Sequence, residues 1–237
     1  CGARGGHLKV TEPSGVKNDE RQIIGLQEMF YESENFYRAV NSAEETIQED
    51  NIYLIVVPHH LLVSEYIAEL IKMSSGRDIK TVIILGPNHE NIGASSIATT
   101  KAGWSTPFGV VDTQDELVDS FVVDLGLRLN YRAFVKEHSI GAIVPFVKYY
   151  FPEANILPVT FTSYSGIDHA SKVSQWMTDN LLEDSLVIVS TDFSHYLTKQ
   201  EADQNDEMMR KFILERSIED IASLNNDYID SPISLVT

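Results

Sequence analysis

Cysteine is nearly missing from this chain of 237 residues: the only one is Cys1. An internal disulfide framework, a Cys-rich zinc site and CxxC redox chemistry are therefore excluded. Basic residues are scarce as well. Eighteen Lys and Arg stand against 35 Asp and Glu, a formal charge of −17, which opposes binding to nucleic-acid phosphates or to anionic lipid. No apolar run reaches the 18 residues that a membrane-spanning helix needs, and no basic start followed by an apolar stretch reads as a signal segment. What is present suffices for a large core, because 43 % of the residues are hydrophobic and the length suits one large α/β domain.

The first 22 residues have no apolar periodicity and several turn formers, so they are expected to form an extended arm with a solvated His7. The opening Cys-Gly-Ala leaves two readings open. Cys1 is the lipid-bearing residue of a processed bacterial lipoprotein, with residues 2–21 as its tether, or it is a fragment edge. Localisation follows as cytoplasmic, with a lipid anchor at the bacterial cell envelope through Cys1 as the alternative.

From residue 23 onward helical and strand patterns alternate. Phe36, Val40, Ala43 and Ile47 recur at helical spacing over 33–49. The continuous apolar run 52–57 reads as a strand covered on both faces and stops at Pro58. The run 82–85, stopped by Gly86-Pro87, and the runs 156–161 and 186–189 read the same way. Helices are expected over 63–73, from a capping box Thr113…Glu116, over 139–150, over 168–182, and over 201–224 with a break near Arg216. Buried strands spaced by helices predict a single α/β domain over 23–237 in three layers, a mainly parallel sheet with helices on both faces.

In such sheets ligands bind beyond the carboxyl ends of the strands. Pro58-His59-His60 follows the first apolar strand, Gly86-Pro-Asn-His89 the second, and Ser190-Thr-Asp192-Phe-Ser-His195 the last. Each exit carries histidine, and imidazole offers a neutral ring nitrogen to Zn, Fe or Cu. A shared mononuclear metal site is the expectation. Glu137-His138-Ser139 precedes a helix and has a plain capping role as its competing explanation. Asp192 competes with an Asx turn, and His169, at a helix start, receives no function.

Taken in order, these exits resemble the Memo family, known in prokaryotes as AmmeMemoRadiSam system protein B and related in fold to class III extradiol dioxygenases. The resemblance rests on Gln27-Glu-Met-Phe-Tyr31, Val57-Pro-His59, Leu85-Gly-Pro-Asn-His89, Thr106-Pro-Phe-Gly109, Glu137-His-Ser-Ile140 with Pro145-Phe146, and Ser190-Thr-Asp-Phe-Ser-His195. It implies that His59 and His89 are metal ligands, and that His195, Asp192, Glu137 and His138 line the same pocket as catalytic groups. In the dioxygenase relatives the ion is Fe(II), held by two His and a carboxylate. This chain departs from the family near its end, where Tyr228-Ile-Asp-Ser-Pro-Ile233 places Tyr where the family has Cys. The third ligand is thereby open among Asp227, Tyr228, Asp230, His195 and water, with His60 a further contributor. The chain also ends at Thr237, short of the closing strands expected of the family.

The resemblance implies one divalent ion (Fe, Cu or Zn), a small molecule or peptide in the pocket, and association with AMMECR-type and radical SAM proteins. Two function classes follow. One is a dioxygenase-like metal-dependent oxidoreductase, and the other is a non-catalytic scaffold that holds a peptide or partner in the old pocket.

Overall fold

The computed structural model describes residues 25–194 and 196–237, so the expected arm with Cys1 and His7, and the side chain of His195, lie outside the described residues. The elements run β1 (Leu26–Gln27), α1 (Ser33–Ser42), β2 (Leu54–Val57), α2 (Ser64–Met73), β3 (Thr81–Pro87), β4 (Ile97–Ala98), β5 (Trp104–Thr106), β6 (Gly109–Val111), α3 (Asp115–Asp124), α4 (His138–Gly141), α5 (Val144–Tyr150), β7 (Asn155–Phe161), α6 (Ile167–Asn180), β8 (Ser185–Ser190), α7 (Lys199–Glu215), α8 (Ile218–Ala222) and α9 (Pro232–Val236). The main sheet has the order β2-β8-β3-β7-β4. Its first four strands are parallel and β4 joins antiparallel. A second, small sheet pairs β5 with β1 and β6.

Alternation along the central strands builds the three layers. In β3, Val82 and Ile84 face a core shared with α1, α2, α4 and α5, while Ile83 and Leu85 face a second core shared with α3, α6 and α9. Successive strand side chains point to opposite faces, so a strand buried on both sides is apolar along its centre, as β3 is from Val82 to Leu85. The expected three-layer architecture is the observed one.

Local departures have local causes. α1 ends at Ser42 rather than running to 49, and Ile47 is 76 % exposed. Ser42 turns its hydroxyl back onto the Ala39 carbonyl (2.7 Å), a bond that competes with continued helix. The strand expected over 52–57 is shorter, and its second face is only partly covered: Val56 packs against the second core while Leu54, on the edge strand β2, is half exposed. The Thr113…Glu116 capping box does not form. Thr113 is bridged to Ile156 beside the sheet, its hydroxyl meets the Lys101 carbonyl, and α3 starts after Gln114. The helix expected over 139–150 is two helices, α4 and α5, and the break expected near Arg216 is a left-handed residue (φ 55°) between α7 and α8.

Candidate metal centre

Parallel register carries the chemistry to one edge. Val57 pairs with Ser190, and Leu85 with Val189, so β2, β3 and β8 stop together. His59, His89 and Asp192 each follow two residues beyond a strand end. The loop after β3 is fixed by Asn88, whose side-chain amide accepts from the Ile92 amide and donates to the Ile92 carbonyl, both at 3.0 Å.

Each of the two inward histidines is held by its Nδ1. Ser190 has one hydroxyl proton and donates it to the Ser139 carbonyl at 2.6 Å. Its lone pairs are left to accept, so the His59 Nδ1, 3.2 Å away, carries the proton. Glu137 does the same for His89, taking Nδ1–H at 2.7 Å on one oxygen and the His89 amide at 2.8 Å on the other. The Ser139 amide also donates to Glu137 (2.9 Å). Burial opposes ionisation of Glu137, but these donors outweigh it and lower its pKa. With Nδ1 engaged in this way, Nε2 is the nitrogen that each ring turns into the pocket, and it is the atom that would ligate an ion once its proton is displaced.

Asp230 meets those nitrogens. Its Oδ1 accepts from the Thr191 hydroxyl (2.6 Å) and the Asp192 amide (3.1 Å). Its Oδ2 lies 3.0 Å from His59 Nε2 and 3.5 Å from His89 Nε2, is buried, and has no hydrogen bond. Two imidazole nitrogens thus converge on one carboxylate oxygen, a negative charge that either a proton on a ring or a bound cation balances. Burial opposes the charge on Asp230, yet the contacts with His59 and His89 hold its carboxyl far below the usual range. Burial likewise disfavours protonated His89, but the contacts with Asp230 and Glu137 prevail and push it up to about 9.

His138 completes the cluster by stacking on His89 at 4.1 Å between ring centroids and by standing edge-on to His59 at 5.0 Å. Burial and then the neighbouring His89 and His59 push its pKa down to about 4, so its ring is neutral at neutral pH. His59, His89 and His138 bring one nitrogen each within 4.8 Å of one another, and His59, Asp192 and Asp230 form a second such group. The donor set therefore fits a metal ion, with His59 common to both groups.

The sequence-predicted residues His59, His89, Asp192, Glu137 and His138 come together here. Glu137 caps α4, as its competing explanation has it, and the same carboxylate also holds His89. His60 does not join, since it is exposed and its Nδ1 accepts from the Leu62 amide. Tyr228 is not the residue that faces the pocket. The segment 228–230 pairs antiparallel with 192–194, through Ser194 amide to Tyr228 carbonyl (3.0 Å) and Asp230 amide to Asp192 carbonyl (3.1 Å), and this register delivers Asp230 instead. Asp227 is exposed. Ser190, which sets the His59 tautomer, stood inside a quoted motif without a role.

A family profile described as Memo-like protein matches residues 18–231. The chain belongs to the Memo-like family. Among curated relatives, a MEMO1 family protein of Methanococcus maripaludis is 34 % identical over 149 residues, which is 60 % of this chain and 52 % of the relative. One from Methanothermobacter thermautotrophicus is 33 % identical over 130 residues (53 % and 47 %), and one from Caldivirga maquilingensis 30 % over 159 (63 % and 56 %). The chain spans about half the length of the Memo relatives it matches. Among the described residues no helix is long and apolar enough to cross a membrane.

Proposed function

We propose that this Memo-like chain is a metal-dependent protein whose pocket holds one divalent ion on His59, His89 and Asp230. The observation that carries the reading is the convergence of the buried Asp230 Oδ2 and two imidazole Nε2 atoms on one point of the pocket. A bound ion of this kind supplies Lewis acidity toward an oxygen of the substrate and lowers the pKa of water.

The remaining groups have separable tasks. Ser190 and Glu137 hold the two rings in the ligating tautomer, as partners of ligating histidines commonly do. His138, kept neutral, lines the pocket wall with an uncharged imidazole. Asp192 accepts the His59 amide (2.9 Å) and so fixes the backbone that carries that ligand. In this proposal His195 keeps the acid–base role that the family resemblance implies, and the reaction is a dioxygenase-like oxidoreduction by fold analogy.

Metal content by mass spectrometry, after reconstitution with Fe(II) or Zn(II), tests the reading. Near-stoichiometric metal in the wild type and its loss in a His59→Ala/His89→Ala variant is the expected result. No metal in either protein would leave a pocket that holds a peptide or partner without turnover.

A further inference from the structure

The three side chains converging on the pocket centre offer two imidazole nitrogens and one carboxylate oxygen. Among the described residues no cysteine stands with them. Both candidate ligand groups among the described residues are built of His and Asp alone. Donor softness governs which ions such a site prefers, because thiolates select Cu(I), whereas two His and one carboxylate suit Fe(II) and its harder neighbours. Asp230 is also rigidly presented: its other oxygen is fastened by Thr191 and by the Asp192 amide, and its side chain is 2 % exposed.

We propose that Asp230 makes this pocket selective for hard to borderline dications, Fe(II), Mn(II) or Zn(II), and a poor site for Cu(I). The proposal rests on the metal reading above and adds the residue that sets the preference. Cu(I) is satisfied by two or three soft ligands and gains little from a buried carboxylate, whereas a dication gains the full attraction of a charge already desolvated by the fold. Cu(II) does not discriminate, because it outcompetes Zn(II) on almost any nitrogen and oxygen donors.

The test is a set of affinities on the full chain for Zn(II), Mn(II) and Cu(I), the last buffered by a chromophoric chelator. The wild type is expected to bind Zn(II) and Mn(II), and to hold Cu(I) only through its imidazoles, more weakly than a site with a thiolate in place of Asp230. Asp230→Asn should weaken Zn(II) by about 10–100-fold, the usual loss on disabling a coordinating or supporting group. Asp230→Cys should gain Cu(I) by at least about tenfold. Wild-type Cu(I) affinity equal to that of Asp230→Cys would overturn the proposal, as would a wild-type chain that takes up Cu(I) but neither Zn(II) nor Mn(II), a result that needs no variant at position 230 to fold. If Zn(II) affinity survives Asp230→Asn while the double histidine variant loses it, the metal reading stands and the role of Asp230 fails. If the double variant binds every ion like the wild type, both fail together.

Discussion

A single hydroxyl decides which face of His59 is basic. Ser190 spends its proton on the Ser139 carbonyl and so can only accept from the imidazole. Ser190→Ala removes that constraint, and the other tautomer then presents a proton to Asp230 Oδ2. Zn(II) affinity is expected to fall by about 10–100-fold. The nitrogen chemical shifts of His59 should change at the same time, a readout that simple loss of packing would not move. Unchanged shifts and affinity would mean that Ser190 only fills space. Tyr150 offers a contrasting case, because its hydroxyl is buried and has no hydrogen-bond partner. Burial, then Tyr149, pushes its pKa up to about 12 from 10. A folded pKa above the unfolded one contributes stability that is intact below about pH 10 and is lost as pH rises toward about 12. Tyr150→Phe should therefore cost little at neutral pH, since no bond is broken, and should flatten the alkaline loss in urea titrations. A Phe variant destabilised by more than about 2 kcal/mol at neutral pH would show an unseen partner for the hydroxyl.

Elements reach the site by close approach. Cβ on Gly86 would stand 2.7 Å from the Ser139 hydroxyl and 2.9 Å from its Cβ, so β3 and α4 can meet only where a side chain is missing. Ser139 uses that contact to bond the Pro87 carbonyl (3.0 Å) and to receive Ser190. Gly86→Ala is expected to destabilise by about 1–3 kcal/mol and to weaken Zn(II) binding, because α4 carries Glu137 and His138 at its start. Gly25→Ala, with no atom within 4 Å of the added carbon, is the neutral control measured beside it. The strands behind this geometry were legible in sequence because apolar runs such as Val82 to Leu85 leave no polar face to misread. The histidine exits were legible because parallel strands end together. Asp230 was legible only as one of several choices. Its place depends on the pairing of 228–230 with 192–194, a long-range register that no local pattern encodes. Helix ends failed for a related reason: Ser42 and Thr113 carry local alternatives to helix whose outcome tertiary neighbours decide.

At the scale of the molecule, the centre ties three distant stretches of chain. His59 comes from the sheet edge, His89 from its middle, and Asp230 from a C-terminal segment that packs with Phe193, Met209 and Ile221 in a small cluster of its own. That third cluster is the smallest of the three cores, and apolar burial alone gives it the least resistance to opening. An ion held by Asp230 adds resistance that the small core lacks. At an ion concentration 100 times the dissociation constant, binding stabilises the closed state by about 2.7 kcal/mol, which slows amide exchange about 100-fold wherever opening breaks the site. Zn(II) is therefore expected to protect the amides of Ser194 and Asp230, which bond across the 192–194/228–230 pair, while those in the exposed end of α6 near Asn180 keep their rates. Hydrogen exchange read by mass spectrometry resolves both regions. Absence of protection there in the wild type, with Asp230→Asn measured beside it, would place the ion on the other group, His59, His89 and His138, and leave the C-terminal segment a passenger. Protection lost in that variant would make the segment part of the metal centre, and the overall charge of −17 would then predict a dication on-rate that falls as salt is raised.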